Sequence, residues 1–142
     1  MDPKQFLQTV YLGDRACKSL LLDGWNNRVC LQIDTISRIR SASGAWEYYC
    51  AEDIQDGLLV FTGVHRVDID PPGFMPNDQI EILSVEPLAP VENNSTTPEC
   101  YSIHIQCAAH NRDGKWDTVD LHIVAEGVHL EDPARPGLHI ND

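Results

Sequence analysis

The stretch YSIHIQCAAHNRDGKWDTVDLHIVAE, residues 101–126, decides the fold. It contains two runs of alternating apolar and polar residues, 101–110 and 116–126, joined by a short loop of turn-forming residues. The alternation has the period of a β-strand, because successive side chains of a strand point to opposite faces. The stretch therefore predicts an antiparallel hairpin with one apolar face and one polar face.

The loop fixes the register of this hairpin. A three-residue loop, Arg112-Asp113-Gly114, fits a type I turn with Gly114 in the left-handed bulge position. Counting outward from it, the apolar pairs are Ile103–Ile123, Ile105–Leu121 and Cys107–Val119, and the polar pairs are Gln106–Asp120 and His104–His122. A two-residue Asp-Gly turn would shift the register by one and mix the two faces, so we expect the longer loop.

The rest of the chain consists of short apolar runs bounded by Gly, Pro, Asn and Asp, which is typical of strands. We expect two further hairpins, 17–22 with 28–34 and 36–40 with 46–50, and single strands at 58–69 and 79–85. Residues 6–12 fit a strand or a helical turn, and residues 52–55 fit a short helix. In the first hairpin we expect one apolar side, made of Cys17, Ser19, Leu21, Val29, Leu31 and Ile33. Gly63 predicts a bulge or bend inside the strand 58–69.

Together these elements predict a mainly β fold. We expect a single-domain antiparallel β-sandwich or strongly twisted sheet of about eight strands, with at most one or two short helices. A chain of 142 residues has the usual length of one domain, and we place that domain at residues 1–130. Residues 131–142, EDPARPGLHIND, contain two prolines and predict a flexible tail.

Charge is distributed very unevenly along the chain. Residues 1–50 carry six Lys/Arg and five Asp/Glu, a net charge of +1, whereas residues 51–142 carry four and seventeen, a net charge of −13. An acidic surface repels nucleic acid and anionic lipid and attracts basic proteins. We therefore expect a basic protein partner, and neither nucleic acid nor membrane. The residues predicted to bind this partner are Asp53, Asp56, Asp68, Asp70, Asp78, Glu81, Asp117 and Asp120.

The sequence also predicts a compartment. It begins without a basic segment followed by an apolar run, and it contains no stretch of roughly 18 apolar residues. An odd number of cysteines without a C-x-x-C pair predicts free thiols, at Cys17, Cys30, Cys50, Cys100 and Cys107. We therefore expect a cytoplasmic protein.

A metal site is the alternative function. His104 and His122 oppose each other on the polar face of the last hairpin, with Asp120 two residues away on that face. Directly opposed residues have Cβ atoms about 4.5–5.5 Å apart, so one transition-metal ion could be reached by all three. No catalytic motif or phosphate-binding loop is found, and we expect neither an enzyme nor a cofactor.

Other polar groups have simpler interpretations. Asp68 and Asp70 end a strand and point the same way, which suits a hard cation or an acid/base pair but is also common in solvated strand ends. Glu52 and Asp53 fit a helix N-terminus. Arginines and aromatic residues of the first fifty positions could stack nucleic-acid bases or form a protein contact; they are Arg28, Arg38, Arg40, Trp25, Trp46, Tyr48 and Tyr49, with Lys18 nearby.

Two segments carry a resemblance to a known family: VYLGDRACKSLLLDGWNNRVCLQIDTISRIRS, residues 10–41, and EDIQDGLLVF, residues 52–61. Across roughly the first 85 residues the chain resembles a family of small, uncharacterised bacterial cytoplasmic proteins. Short acidic proteins of this kind resemble immunity proteins, which neutralise a toxin by binding it. The resemblance implies a protein-binding module without catalytic residues; a structural or regulatory domain is the remaining hypothesis.

Overall fold

The structure is a computed structural model that describes residues 1–47, 52–89, 98–110 and 113–142. Over these residues it has one helix and twelve strands. Their bounds are α1 Pro3–Leu7, β1 Val10–Tyr11, β2 Cys17–Asp23, β3 Arg28–Ile33, β4 Thr35–Arg38, β5 Glu52–Gln55, β6 Leu58–Thr62, β7 Arg66–Asp70, β8 Ile80–Pro87, β9 Tyr101–His110, β10 Trp116–Ala125, β11 Gly127–Glu131 and β12 His139–Ile140. The predicted mainly β class is confirmed, with more strands than expected.

The strands form three antiparallel sheets. A four-stranded sheet has the order β7-β10-β9-β8, a five-stranded sheet has the order β12-β11-β6-β3-β2, and a three-stranded sheet has the order β1-β4-β5. Buried apolar residues from all three belong to one core. Cys17 of β2 and Cys107 of β9 are both buried members of this core, so the two larger sheets meet inside it.

The predicted register of the last hairpin is confirmed. Ile105 opposes Leu121 and His104 opposes His122. The apolar face is almost fully buried, with Ile105 and Leu121 both 0% exposed. Gly114 adopts a positive φ of 74°, as the bulge position requires. Arg112 lies outside the described residues.

Residues 58–69 are two strands rather than one. β6 belongs to the five-stranded sheet and β7 to the four-stranded sheet. Gly63, between them, has a φ of 57°, a left-handed conformation that turns the chain out of one sheet. Glu126, at the crossing between β10 and β11, donates its backbone N–H to Thr62 O at 3.0 Å. The chain therefore changes sheets here twice, once in each direction.

The predicted face of the first hairpin is wrong beyond Cys17. Cys17 opposes Ile33, but the register then shifts, so that Leu20 opposes Leu31 and Leu22 opposes Val29. The shift between Cys17 and Ser19 is a bulge, and one extra residue moves every later side chain to the other face. Ser19 and Leu21 therefore do not share the face of Cys17.

The predicted helix at residues 52–55 is also wrong. These residues form β5, which pairs with β4, and Ile54 opposes Ile36. Ile54 is 5% exposed and Ile36 is 0% exposed, so burial of this apolar pair decides the conformation. The predicted hairpin of 36–40 with 46–50 is not formed by the described residues, because β4 pairs with β1 and β5 instead. Residues 48–50 lie outside the described part of the chain.

Residues 6–12 combine the two expected alternatives, because α1 ends at Leu7 and β1 follows. Asp2 caps the helix: its side chain accepts from the Gln5 backbone N–H at 2.8 Å, and the Gln5 side chain accepts from the Asp2 N–H. The helix has five residues, and within the described ranges no helix is long and apolar enough to cross a membrane.

The C-terminal segment returns to the five-stranded sheet. β12 pairs with β11, and Leu130 opposes Ile140 while Glu131 opposes His139. The sequence predicts a flexible tail from residue 131; in the structure Glu131 still belongs to β11, and the segment after it adds an edge strand. The flexibility of this segment stays a prediction.

Candidate functional site

The outward face of the four-stranded sheet gathers five of the ten candidate site residues predicted from the sequence. We call it the polar face and define it by Asp68, Asp70, His104, Gln106, Asp120 and His122. Along β9 and β10 these residues alternate with fully buried ones, so the alternation that builds the core also builds this face. The sheet register then sets which polar residues are neighbours.

Two rows of opposed residues cross the polar face. His122 lies between His104 on one side and Asp68 on the other. Asp120 lies between Gln106 and Asp70 in the next row. The predicted pairs His104–His122 and Gln106–Asp120 are thus continued onto β7 by two aspartates.

Hydrogen bonds order the centre of this face. The His104 and His122 rings stack with centroids 4.5 Å apart and an interplanar angle of 4°. His104 Nε2 lies 2.7 Å from Asp120 Oδ1, and Gln106 Nε2 donates to the same oxygen at 3.1 Å. The hydrogen bonds from His104 and Gln106 hold the pKa of Asp120 below its ordinary value. Asp120 therefore stays ionised on this face.

The aspartates of β7 differ in their surroundings. Asp68 accepts from Arg66 Nε at 2.7 Å, and this hydrogen bond lowers the Asp68 pKa. Asp70 makes no hydrogen bond or ion pair with the described residues, although it directly opposes Asp120. Carboxylates on directly opposed positions repel each other. Asp120 is hydrogen-bonded to His104 and Gln106, so Asp70 is the carboxylate of this pair without a counter-charge among the described residues.

The other predicted acidic residues lie elsewhere. Asp53 accepts from Ser37 Oγ at 2.6 Å, in the three-stranded sheet, and Asp56 pairs with Lys18 Nζ at 2.6 Å. Asp78 lies 3.1 Å from His110 Nδ1, and Glu81 is exposed at a bulge in β8. These four acids do not join the rows of the polar face.

Asp117 is a further correction. The sequence predicts that it shares a contact surface with Asp120, but Asp117 opposes Ala109 and lies on the opposite side of β10. Asp117 lies two residues before the buried Val119, so the two share one face of the strand, and Asp120 lies on the other face. Trp116 is four residues before Asp120 on β10, so both lie on the same face of the strand. Trp116 is 64% exposed, and an aromatic side chain therefore flanks the polar face.

A second cluster, at the end of the chain, is not among the sites predicted from the sequence. Among the described residues, His129, Glu131 and His139 are the group whose metal-ligand atoms converge within 4.8 Å of one another. The predicted trio of His104, Asp120 and His122 is not such a group in the described structure. Burial, together with the neighbouring His139, lowers the pKa of His129. The sequence contains the pattern His-x-Glu on a strand, at His129 and Glu131. This pattern alone does not indicate a metal site; it does so only when His139 is known to lie opposite Glu131.

The family of the chain is shown by comparison with family models. A model described as a family of unknown function (DUF6258) matches residues 1–142. The chain belongs to this family. Searches of curated proteins and of solved structures found no match.

In this DUF6258 member the arginines and aromatics of the first fifty residues do not form one exposed patch. Arg38 is 1% exposed and donates to Thr9 Oγ1 at 2.9 Å. Trp46 stacks on Tyr11 with ring centroids 4.7 Å apart, whereas Trp25 is 95% exposed. Tyr48 and Tyr49 lie outside the described residues. The structure therefore gives no support for stacking of nucleic-acid bases on these arginines and aromatic residues.

The thiols of the DUF6258 chain are unpaired where they are described. Cys17, Cys30 and Cys107 are buried, Cys100 is partly exposed, and all four are free. Burial raises the pKa of Cys30 and of Cys100. Cys50 lies outside the described residues. Cys17, Cys30 and Cys107 are thus small, buried core residues.

Proposed function

We propose that the protein is a cytoplasmic protein-binding module of the immunity type, which neutralises a basic toxin or effector by covering it with the polar face. One observation carries the proposal: Asp70 and Asp120 oppose each other on an exposed face, and Asp70 has no counter-charge among the described residues. Asp120 is already held by His104 and Gln106, so Asp70 is the carboxylate left open to a partner. A Lys or Arg of a partner would gain a charge-assisted contact with Asp70.

The surroundings of this pair suit a protein interface. Trp116 is 64% exposed on the same side of β10, and tryptophan is enriched among the residues that dominate binding energy. The ordered His104 and Asp120 side chains give a preformed surface, which costs less entropy on binding. The polar face therefore combines an aromatic anchor with fixed negative charge.

The overall charge favours fast association with a basic partner. The net charge of −12 creates a field that steers positively charged proteins and raises association rates by about 10–10³-fold. An immunity protein benefits from speed, since it must capture its toxin before the toxin acts. Short acidic proteins of this kind resemble immunity proteins, and that analogy supports the same role.

The test starts with capture of partners from the native host, with the full chain as bait. Binding kinetics of a recovered basic protein are then measured for two double variants. Asp70→Asn with Asp120→Asn removes two charges from the polar face, and Glu47→Gln with Glu99→Gln removes two exposed charges elsewhere. Both variants carry the same net charge, so only position differs.

We expect the Asp70/Asp120 variant to slow association by about 10-fold or more, and the Glu47/Glu99 variant to change it little. Association by the unmodified chain should also slow as salt is added. Co-expression with the recovered protein should relieve its toxicity. The proposal is refuted if the host yields no basic partner, if both variants have equal effects, or if the rate is insensitive to salt.

A further inference from the structure

Three potential metal ligands meet where the C-terminal segment returns to the five-stranded sheet. Glu131, the last residue of β11, directly opposes His139 of β12. His129 precedes Glu131 by two residues on the same strand, so both side chains point to one face. Register and alternation thus bring two imidazoles and one carboxylate to one side of the sheet.

The turn between β11 and β12 defines the position of His139. Asp132 Oδ1 accepts from the Ala134 backbone N–H at 2.9 Å, and Asp132 O accepts from the Arg135 N–H at 2.9 Å. The Asp132 carboxylate also accepts from Arg135 Nε at 3.2 Å. Gly137 supplies a φ of 86°, which other residues rarely adopt. The segment is therefore directed back onto Glu131 by its own contacts.

Two of the three distances between donor atoms are close to those around a single ion, and all three atoms lie within 4.8 Å of one another. Glu131 Oε1 lies 3.1 Å from His139 Nε2 and 3.6 Å from His129 Nε2. A tetrahedral zinc ion with bonds of about 2.0–2.2 Å needs ligand atoms roughly 3.4 Å apart. The same carboxylate oxygen is thus already at ligand spacing from both imidazole nitrogens.

His129 is the most buried residue of the cluster, and its ring nitrogen Nε2 makes no hydrogen bond with the described residues. The residue is 7% exposed, and the Glu131 carboxylate oxygen lies 3.6 Å from the buried Nε2, beyond hydrogen-bond distance. A buried polar atom without a partner is destabilising and uncommon in folded proteins. The Glu131 and His139 side chains are 21% and 54% exposed, which leaves an entry route for an ion and room for solvent beside it.

We propose that His129, Glu131 and His139 bind a divalent transition-metal ion, Zn²⁺ by the chemistry of the donor set, and that this ion fastens the C-terminal segment to the sheet. Two imidazoles and one carboxylate suit Zn²⁺ and its neighbours rather than Mg²⁺ or Ca²⁺, which prefer oxygen ligands. Arg38 donates to the backbone oxygen of Asp142 at 2.7 Å, which gives the segment a second attachment. The inference does not rest on the proposed function, since the polar face belongs to the other large sheet.

The test is a titration of the metal-free, untagged full chain with Zn²⁺ by calorimetry. We expect one ion per chain, and His139→Ala and Glu131→Ala should each weaken binding by at least about 100-fold, beyond the roughly 10–100-fold cost of losing an outer-shell partner. Co²⁺ should give the visible absorption of a tetrahedral site. Zn²⁺ should also slow backbone amide exchange in residues 132–142, an effect absent from both variants.

Two matched variants locate the ion. His65→Ala removes another histidine that is paired with a glutamate and is 52% exposed, and it should bind Zn²⁺ as the unmodified chain does. His122→Ala removes a histidine of the polar face and should also leave binding intact. The proposal is overturned by absence of stoichiometric binding, by unchanged binding in His139→Ala and Glu131→Ala, or by loss of binding in His122→Ala in their place. Melting curves of each variant verify that the chain is folded.

Discussion

Gly63 controls the point where the chain passes from the five-stranded to the four-stranded sheet, and replacing it with alanine tests that assignment. Its φ is 57°, in the region that residues with a Cβ rarely adopt. A Cβ at this position would lie 2.7 Å from Cδ and Oε2 of Glu126 and 2.9 Å from its Cβ. The two segments are held together because the Glu126 backbone N–H donates to Thr62 O at 3.0 Å.

Two separate costs follow for Gly63→Ala. The left-handed conformation costs about 1–2 kcal/mol for a residue with a Cβ. The Glu126 carboxylate can rotate away, although it then leaves His65 Nε2, now 2.8 Å from Oε2. The Glu126 Cβ can move only with the backbone, so overpacking adds about 1–2 kcal/mol. We expect a total loss of about 2–4 kcal/mol in the free energy of unfolding.

Urea or thermal unfolding with two matched glycine variants separates the two costs. Gly73 has a φ of 85°, and a Cβ added there would meet nothing within 4 Å, so Gly73→Ala should cost only the conformational part, about 1–2 kcal/mol. Gly24 has open space and no positive φ, so Gly24→Ala should be near neutral. A melting temperature shifts by roughly 3 °C per kcal/mol in a domain of this size. If Gly63→Ala is as stable as Gly73→Ala or more stable, then Gly63 does not lie as close to Glu126 as the structure shows.

Three further predictions concern the core and the polar face. Ile105→Ala should lower the free energy of unfolding by about 2–5 kcal/mol, whereas Leu21→Ala, at a side chain 54% exposed, should change it by about 0.5 kcal/mol or less in urea titrations. The hydrogen bonds of Asp120 lower its pKa in the folded state, so they stabilise the fold above the ordinary carboxyl range, and this stabilisation is lost as pH falls through the lowered pKa. Stability of Asp120→Asn, measured from pH 7 to pH 2, should accordingly fall less on acidification than that of the unmodified chain. Cys17 and Cys107 should resist maleimide labelling until the chain unfolds, since they are 1% and 0% exposed, and mass spectrometry of the labelled peptides reports this.

The last hairpin was predictable because two independent local signals agree there. Strand alternation assigns the faces, and the loop around Gly114 fixes the register. The first hairpin lacks the second signal. The alternating pattern gives no sign of the register shift between Cys17 and Ser19, so alternation alone assigned Leu21 to the wrong face.

Residues 52–55 show how tertiary burial overrides a local preference. Glu52 and Asp53 suit a helix N-terminus, but Ile54 is 5% exposed opposite Ile36 of β4. An isolated helix of four residues is far below the length that is stable alone. The apolar pair gains more from the sheet than the carboxylates gain from a helix dipole, and Ile36 lies too far along the chain for a local pattern to reveal it.

The sequence alone could not show which acidic residues are neighbours or that His139 faces Glu131, and the physical reason is the same in both cases. Position along the chain does not determine position in a sheet: Asp53 and Asp68 are close in sequence but belong to different sheets, whereas Asp70 and Asp120 are neighbours across two strands. His139 reaches Glu131 through a turn whose prolines suggest disorder.

The same geometry makes the two proposals independent. The polar face belongs to the four-stranded sheet, and the His129–Glu131–His139 cluster belongs to the five-stranded sheet across the shared core. Mutations more than about 7–10 Å apart that share no partner have additive effects on stability. A variant such as Asp70→Asn should therefore change partner association without changing Zn²⁺ affinity, and His139→Ala should do the reverse. Coupling between the two readouts would mean that the ion orders the face that binds the partner.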